Sequence, residues 1–235
     1  MRKLSPTKAM SHALNSVWTF RQAAVRIALP WLPVLLLCGL ANIYFAPPVQ
    51  TAIFLISLIV NSSMSVSWQR FILRDEMSRP MRLDGCVLSY ALSSFLLIML
   101  ATIPVALLLA IMILAAPAAV LALPAIVLVA GAIVRLSIKF PAIALGDRTF
   151  RFSDAWSASK GNMWQCIGVL MLELAIVLGG LLAAGLLSSA LGQIDGTLGL
   201  LAGFAASFLL QPFFTILNAS ILTSLYGFFV EHRDF

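Results

Sequence analysis

Apolar residues run through this chain in long blocks, broken at short intervals by polar ones. Six blocks, at about 24–46, 50–70, 86–113, 119–144, 163–189 and 197–230, are long enough to cross a bilayer as helices, since one crossing takes roughly 20 apolar residues. The breaks between them alternate in character. Ala46-Pro47-Pro48-Val49-Gln50 and Ala115-Ala116-Pro117-Ala118 are short and uncharged, whereas 70–84 and 145–163 are longer and charged. The pattern predicts three helical hairpins in an all-α, six-span membrane bundle, with 1–235 forming a single integral membrane domain. Pro104, Pro124, Pro141 and Pro212 fall within spans or at their ends, where neighbouring helices can re-satisfy the freed carbonyls. Pro212 is expected to kink the long sixth span.

Two stretches outside the apolar blocks have a helical period of their own. Ser5-Pro6 offers an N-cap followed by a proline in the first turn. Beyond it Lys8, Ser11, His12, Asn15, Thr19, Gln22 and Arg26 recur at three-to-four spacing, with Met10, Ala13, Leu14, Val17, Trp18, Ala24 and Val25 on the other side. This predicts an amphipathic helix over 6–22, suited to the headgroup level. A second interfacial helix is expected over 153–161, with Ser153 as cap, Asp154 at its positive end and Gly161-Asn162 as its stop. Helix-then-span-pair recurs at 6–46 and 153–189, and Asn61, Ser63 and Ser67 share their spacing with Asn218, Ser220 and Ser224. A threefold repeated hairpin is the expected architecture.

Composition and charge add an orientation. The chain is 61% hydrophobic and 10% charged, with a mean hydropathy of +1.02, where soluble domains carry roughly 25% charged residues. All 15 Lys and Arg lie in Arg2 to Arg26, Arg70 to Arg82, Arg135 to Lys160, and at Arg233. Between Arg26 and Arg70 lie 43 uncharged residues, between Asp84 and Arg135 another 50, and between Lys160 and Arg233 72 without a basic one. Cytoplasmic loops collect Lys and Arg, so both termini are expected in the cytoplasm of a bacterial cell, with the bundle in its inner membrane. The net charge of +6 is absorbed by these boundaries and by anionic headgroups. Nucleic acid is not an expected partner, because the basic residues are not interleaved with aromatic platforms. Cys38, Cys86 and Cys166 have no C-x-x-C spacing, and His12 and His232 sit at opposite ends; no disulfide framework, metal or cofactor is expected. Gly39-Leu40-Ala41 resembles a cleavage site, but the segment before it is too long for a signal peptide, so an uncleaved first span is expected.

The candidate chemistry is sparse. Glu173 lies about ten residues into the fifth span, roughly 15 Å at helical rise, and Arg135 lies at matching depth in the fourth. An ion pair between them is expected, with a structural role favoured over a proton or substrate site because no second carboxylate or histidine is at hand for a relay. Asn61, Ser63, Ser67, Asn218, Ser220 and Ser224 form a polar stripe that either lines a cavity or serves as interhelical glue. Ala175, Gly179 and Ala183, and Gly199 with Gly203, permit close helix approach. Arg148, Arg151 and Lys160, near the start of the second interfacial helix, are candidates for holding an anionic headgroup or phosphate. No phosphate-binding glycine loop, hydrolase triad or zinc-protease motif occurs, so an enzyme is not expected.

Two segments are more distinctive. Trp68-Gln69-Arg70-Phe71-Ile72-Leu73 with Glu76 fits a W-x-R-F-x-L-x-x-E signature. Arg135, Pro141-Ala142-Ile143-Ala144-Leu145 and the run Ala155-Trp156 to Met163-Trp164 follow it. Together these resemble an uncharacterised family of small proteobacterial inner-membrane proteins, distantly similar to the membrane domain of some glycerophosphodiester phosphodiesterases. The resemblance implies a helical inner-membrane protein with no assigned activity; the soluble phosphodiesterase chemistry is not carried over. The leading expectation is a non-enzymatic accessory or scaffold subunit with a protein partner or as a homo-oligomer. The alternative is a small transporter or lipid-handling permease working as an oligomer.

Overall fold

The computed structural model describes residues 3–45, 47–76, 81–114 and 119–233, so the expected outer turn at Ala115 to Ala118 lies outside the described residues. Among the described residues there is no strand. The helices are α1 (Pro6–Thr19), α2 (Arg21–Ala28), α3 (Leu32–Tyr44), α4 (Pro47–Arg74), α5 (Gly85–Leu114), α6 (Ala119–Ser137), α7 (Lys139–Leu145), α8 (Phe152–Ala158), α9 (Met163–Gly192) and α10 (Gly196–Phe229). Among the described residues, six stretches are long and apolar enough to span a membrane: Arg21–Asn42, Pro47–Arg74, Gly85–Ile113, Pro124–Leu145, Met163–Gly192 and Gly196–Phe229. The protein is an all-α polytopic bundle.

Local chemistry accounts for where the elements break. The first span is jointed, because a short 3₁₀ turn at Leu29–Trp31 separates α2 from α3 where Pro30 and Pro33 each withhold a backbone donor. Gly146 closes α7 at φ +77°, with Gly146 N–H donating to Ile143 O and Asp147 N–H to Ala142 O, a left-handed cap that favours glycine. The expected cap of α8 moves by two residues. The helix begins at Phe152 with Arg151 as N-cap, and Asp154 accepts from the Arg151 N–H at 2.7 Å. Ser153 lies inside the first turn instead.

Burial is concentrated at one end of the bundle, the end that carries the basic segments. From Ile216 to Phe229, α10 is buried at almost every position and supplies side chains to three apolar clusters. One gathers Met10, Ile138, Val169 and Leu225; another Ile27, Trp31, Met64 and Trp68; the third Val66, Tyr90 and Phe140. The other ends of the helices expose Ile113, Leu182, Leu186 and Leu200. Lipid is as apolar as leucine, so packing in a membrane must come from close fit rather than from escape from water. The fit here is made by small residues: a Cβ on Gly131 would come within 2.7 Å of Ile167, and one on Gly168 within 2.9 Å of Pro6. Trp18, Trp156 and Trp164 are exposed near the basic end, as in an aromatic belt at a headgroup boundary.

The N-terminal helix is more firmly docked than an interfacial helix requires. Leu4 N–H donates to Asn162 Oδ1 at 2.9 Å, Ser220 Oγ to Ala13 O at 3.0 Å, and His12 Nδ1 lies 2.9 Å from Ser224 Oγ. Ala9, Met10 and Ala13 are buried against α9 and α10, whereas Leu14 and Trp18 stay exposed. Burial, and after it the positive charge of Arg233, holds the His12 imidazole below its ordinary range. The fold therefore favours neutral His12, so docking of α1 is at full strength above the free-histidine pKa of about 6.5 and weakens as pH falls below it. Hydrogen exchange of α1 amides, corrected for intrinsic rates, should lose protection between pH 7.5 and pH 5. His12→Gln should flatten that dependence; equal protection at both pH values would rule it out.

Candidate intramembrane polar site

Glu173, on α9, points toward α10, where Asn218 Nδ2 donates to its Oε1 at 2.8 Å. The expected Arg135–Glu173 ion pair is not formed. Arg135 sits in the last turn of α6 and turns to the loop helix α8, donating from Nε to Ser159 Oγ at 2.9 Å and from Nη2 to Trp156 O. Its guanidinium lies 3.7 Å from the centre of the Trp156 ring, a cation–π geometry. The reason is rotational. Ile133, Val134 and Ser137 line the hollow that contains Glu173, and a helix turns about 100° per residue, which takes the intervening Arg135 out of that face.

Two hollows meet at Glu173 and Asn218, and a third adjoins one of them. One, of about 500 Å³, is lined by Asn61, Gln211 and Thr215 together with Glu173 and Asn218. A second, of about 240 Å³, shares Glu173 and Asn218 and adds Tyr90, Ser94 and Ser137. A third, of about 290 Å³, shares Ser94 and Ser137 and reaches Thr102. Thr215 Oγ donates to Asn61 Oδ1 at 3.2 Å. Behind the second hollow, Gln69 is fully buried; its Nε2 donates to Tyr90 Oη at 3.4 Å, and its Oε1 has no partner among the described residues. A carboxylate, amides and hydroxyls thus follow one another along these hollows, on α4, α5, α6, α9 and α10, with Asn218 and Gln211 exposed and Glu173 half-buried.

The polar stripe divides. Asn61 and Asn218 belong to these hollows, whereas Ser220 and Ser224 serve α1, and Ser63 Oγ donates to Arg82 O at 2.6 Å. Ser67 is buried. The small-residue positions divide too: Gly199 and Gly203 meet Gly192 and Ser188 of α9, while Gly179 faces open space. Tyr90, Ser94, Ser137, Gln211 and Thr215 were not singled out from the sequence. The available signal is that small polar residues interrupt apolar spans, with Tyr90 and Ser94 on α5 and Gln211 and Thr215 on α10 each four apart, but that spacing does not say which helices come together.

The basic loop residues Arg148, Arg151 and Lys160 are all exposed. The positive end of α8 is already filled by its own Asp154, so that helix start does not offer an anion site. The signature segments are joined to each other. Arg70 Nε donates to Ala144 O, and Glu76 receives Arg70 at 3.2 Å and Arg82 at 3.1 Å. The hydrogen bond from Arg82 is the main reason the Glu76 carboxyl lies below its ordinary range. Trp68 is fully buried, and Phe71 packs edge-on against Phe20 at 5.4 Å. These residues fasten the first charged loop, α7 and α1 together. Among the described residues no group of three His, Cys, Asp or Glu side chains could hold a metal ion.

No family model matches the chain, and no match was found among curated proteins or solved structures.

Proposed function

We propose that this integral membrane protein is a non-enzymatic permease of the bacterial inner membrane, its basic end facing the cytoplasm, with Glu173 and Asn218 as the solute-binding pair. The observation that carries this reading is that one carboxylate–amide pair, on two membrane-spanning helices, borders two open hollows. An ionisable residue at that depth is costly and is a functional-site candidate by default. A carboxylate with amide and hydroxyl neighbours suits a small solute bearing an amine or several hydrogen-bond donors. Placement of the basic end follows from the positive-inside rule. The resemblance to uncharacterised inner-membrane proteins stands beside this proposal and brings no catalytic chemistry to it.

The test is a panel of amines and polyols screened by thermal unfolding of the purified protein, then flux of any hit into proteoliposomes. A ligand present at 100 times its Kd adds about 2.7 kcal/mol to stability. That shift and the flux are expected in the wild type and lost in Glu173→Gln and Asn218→Leu. Flux that survives both substitutions would discard the pair as the site.

A second reading, an accessory or scaffold subunit, is favoured by a different feature. Leu88, Leu92, Leu96, Leu100, Ile103 and Leu107 form an exposed stripe along α5, spaced as a helix–helix seam would be. For that reading, a protein partner should survive mild detergent extraction in stoichiometric amount, with no flux for any solute.

A further inference from the structure

An independent feature lies on the opposite flank, where α1 and α2 run beside the Pro212 region of α10. A groove of about 470 Å³ opens there, walled by Ala28, Leu29 and Leu32 on one side and by Leu209, Pro212 and Phe213 on the other. Its lining is apolar except at one end, where Arg21 and Trp18 sit. The Arg21 guanidinium is 5.4 Å from the Trp18 ring centre, and Arg21 forms no ion pair among the described residues. Trp18 is 71% exposed. Tryptophan and arginine together at the end of a span are the usual furniture of the headgroup level.

The dimensions match one lipid leaflet. Arg21 begins the first span, and from Arg21 to Leu32 eleven helical steps cover roughly 16 Å. Half of a hydrocarbon core of about 30 Å is nearly the same depth. A chain lying in the groove would thus start beside a cation at the boundary and end near the bilayer midplane. Pro212, inside α10, withholds one backbone donor and forms part of the groove wall.

The geometry points to a bound anionic phospholipid, with its phosphate on Arg21, its glycerol region against Trp18 and one acyl chain along the groove. Charge complementarity selects the headgroup. A net-negative lipid such as phosphatidylglycerol neutralises the unpaired guanidinium, whereas phosphatidylcholine brings its own cation to the same spot. Arg21 binds phosphate as a planar, multi-donor fork. The inference does not depend on the permease reading.

Native mass spectrometry in non-ionic detergent, titrating in phosphatidylglycerol or phosphatidylcholine of the same chain length, tests it. The first phosphatidylglycerol should bind about tenfold more tightly than the first phosphatidylcholine, a factor expected of one charge-assisted contact. Arg21→Gln should erase that preference. Val25→Trp, at a 58% exposed groove position, should weaken both lipids. Both changes are at exposed positions, so the variants should elute and unfold as the wild type does. Arg148→Gln, away from the groove, should change nothing. Equal affinity for the two lipids in the wild type would overturn the proposal. So would a first phosphatidylglycerol held undiminished by Arg21→Gln and Val25→Trp, since the lipid would then be adventitious.

Discussion

Arg135→Glu is expected to destabilise the protein by about 3 kcal/mol, and adding Glu173→Arg should recover none of that loss. Arg135 is 6% exposed, and its donors go to Ser159 and the Trp156 carbonyl with the indole ring beneath. A carboxylate there would face an acceptor carbonyl and the negative face of a ring. Glu173 has its own partner, Asn218, so a swapped arginine would find no new counter-charge. Equilibrium unfolding of the four proteins in detergent micelles should give a coupling energy near zero, as for sites without shared partners. Rescue of the single variant by the double would restore the ion pair as the correct reading. Arg135→Lys keeps the charge but loses the fork and the stacking, and should cost less, about 1–2 kcal/mol.

The second large effect belongs to the crossing of α9 and α10. A methyl group on Gly199 would lie 2.6 Å from the Gly192 Cα and 2.8 Å from the Ser188 carbonyl oxygen, both backbone atoms that no rotamer change can move. The Gly199 carbonyl also accepts from Ser188 Oγ at 2.6 Å, a bond lost when the helices part. Gly199→Ala should therefore cost about 2–3 kcal/mol, the upper range for overpacking. Gly203→Ala meets the Ser188 hydroxyl, at 2.8 Å, and the side chain can rotate away, so the cost should be smaller. Gly179→Ala meets nothing within 4 Å and should be neutral or slightly stabilising, since alanine is the better helix former. Thermal midpoints of the three variants provide the comparison. A Gly179→Ala defect as large as that of Gly199→Ala would show that the close approach lies elsewhere.

These two series also mark how much could be read in advance. Gly199 and Gly203 were recognisable as an approach site because four-residue spacing places them on one face of one helix. Gly179 has the same credentials, yet that face of α9 meets nothing; spacing identifies a face without saying what stands opposite. Glu173 is conspicuous as an acid within an apolar block, but along the chain only depth points to a partner for it. Depth is shared by every helix in the bundle, whereas contact depends on rotation, and Arg135 and Val134 one residue apart look in different directions. The remaining residues of the hollows come from six helices, and only the bundle brings them together.

Six apolar helices, basic residues confined to a few short segments, and few ionisable groups between them are all legible along the chain. Those are one-dimensional properties: a bilayer reads length, apolarity and boundary charge segment by segment. It takes the packed bundle to set Glu173 against Asn218 from 45 positions away, to turn Arg135 onto α8, and to lock α1 onto α9 and α10. Those choices follow from the rotation of each helix and from the points where glycines let two backbones meet. Neither is encoded in the spacing along any single span.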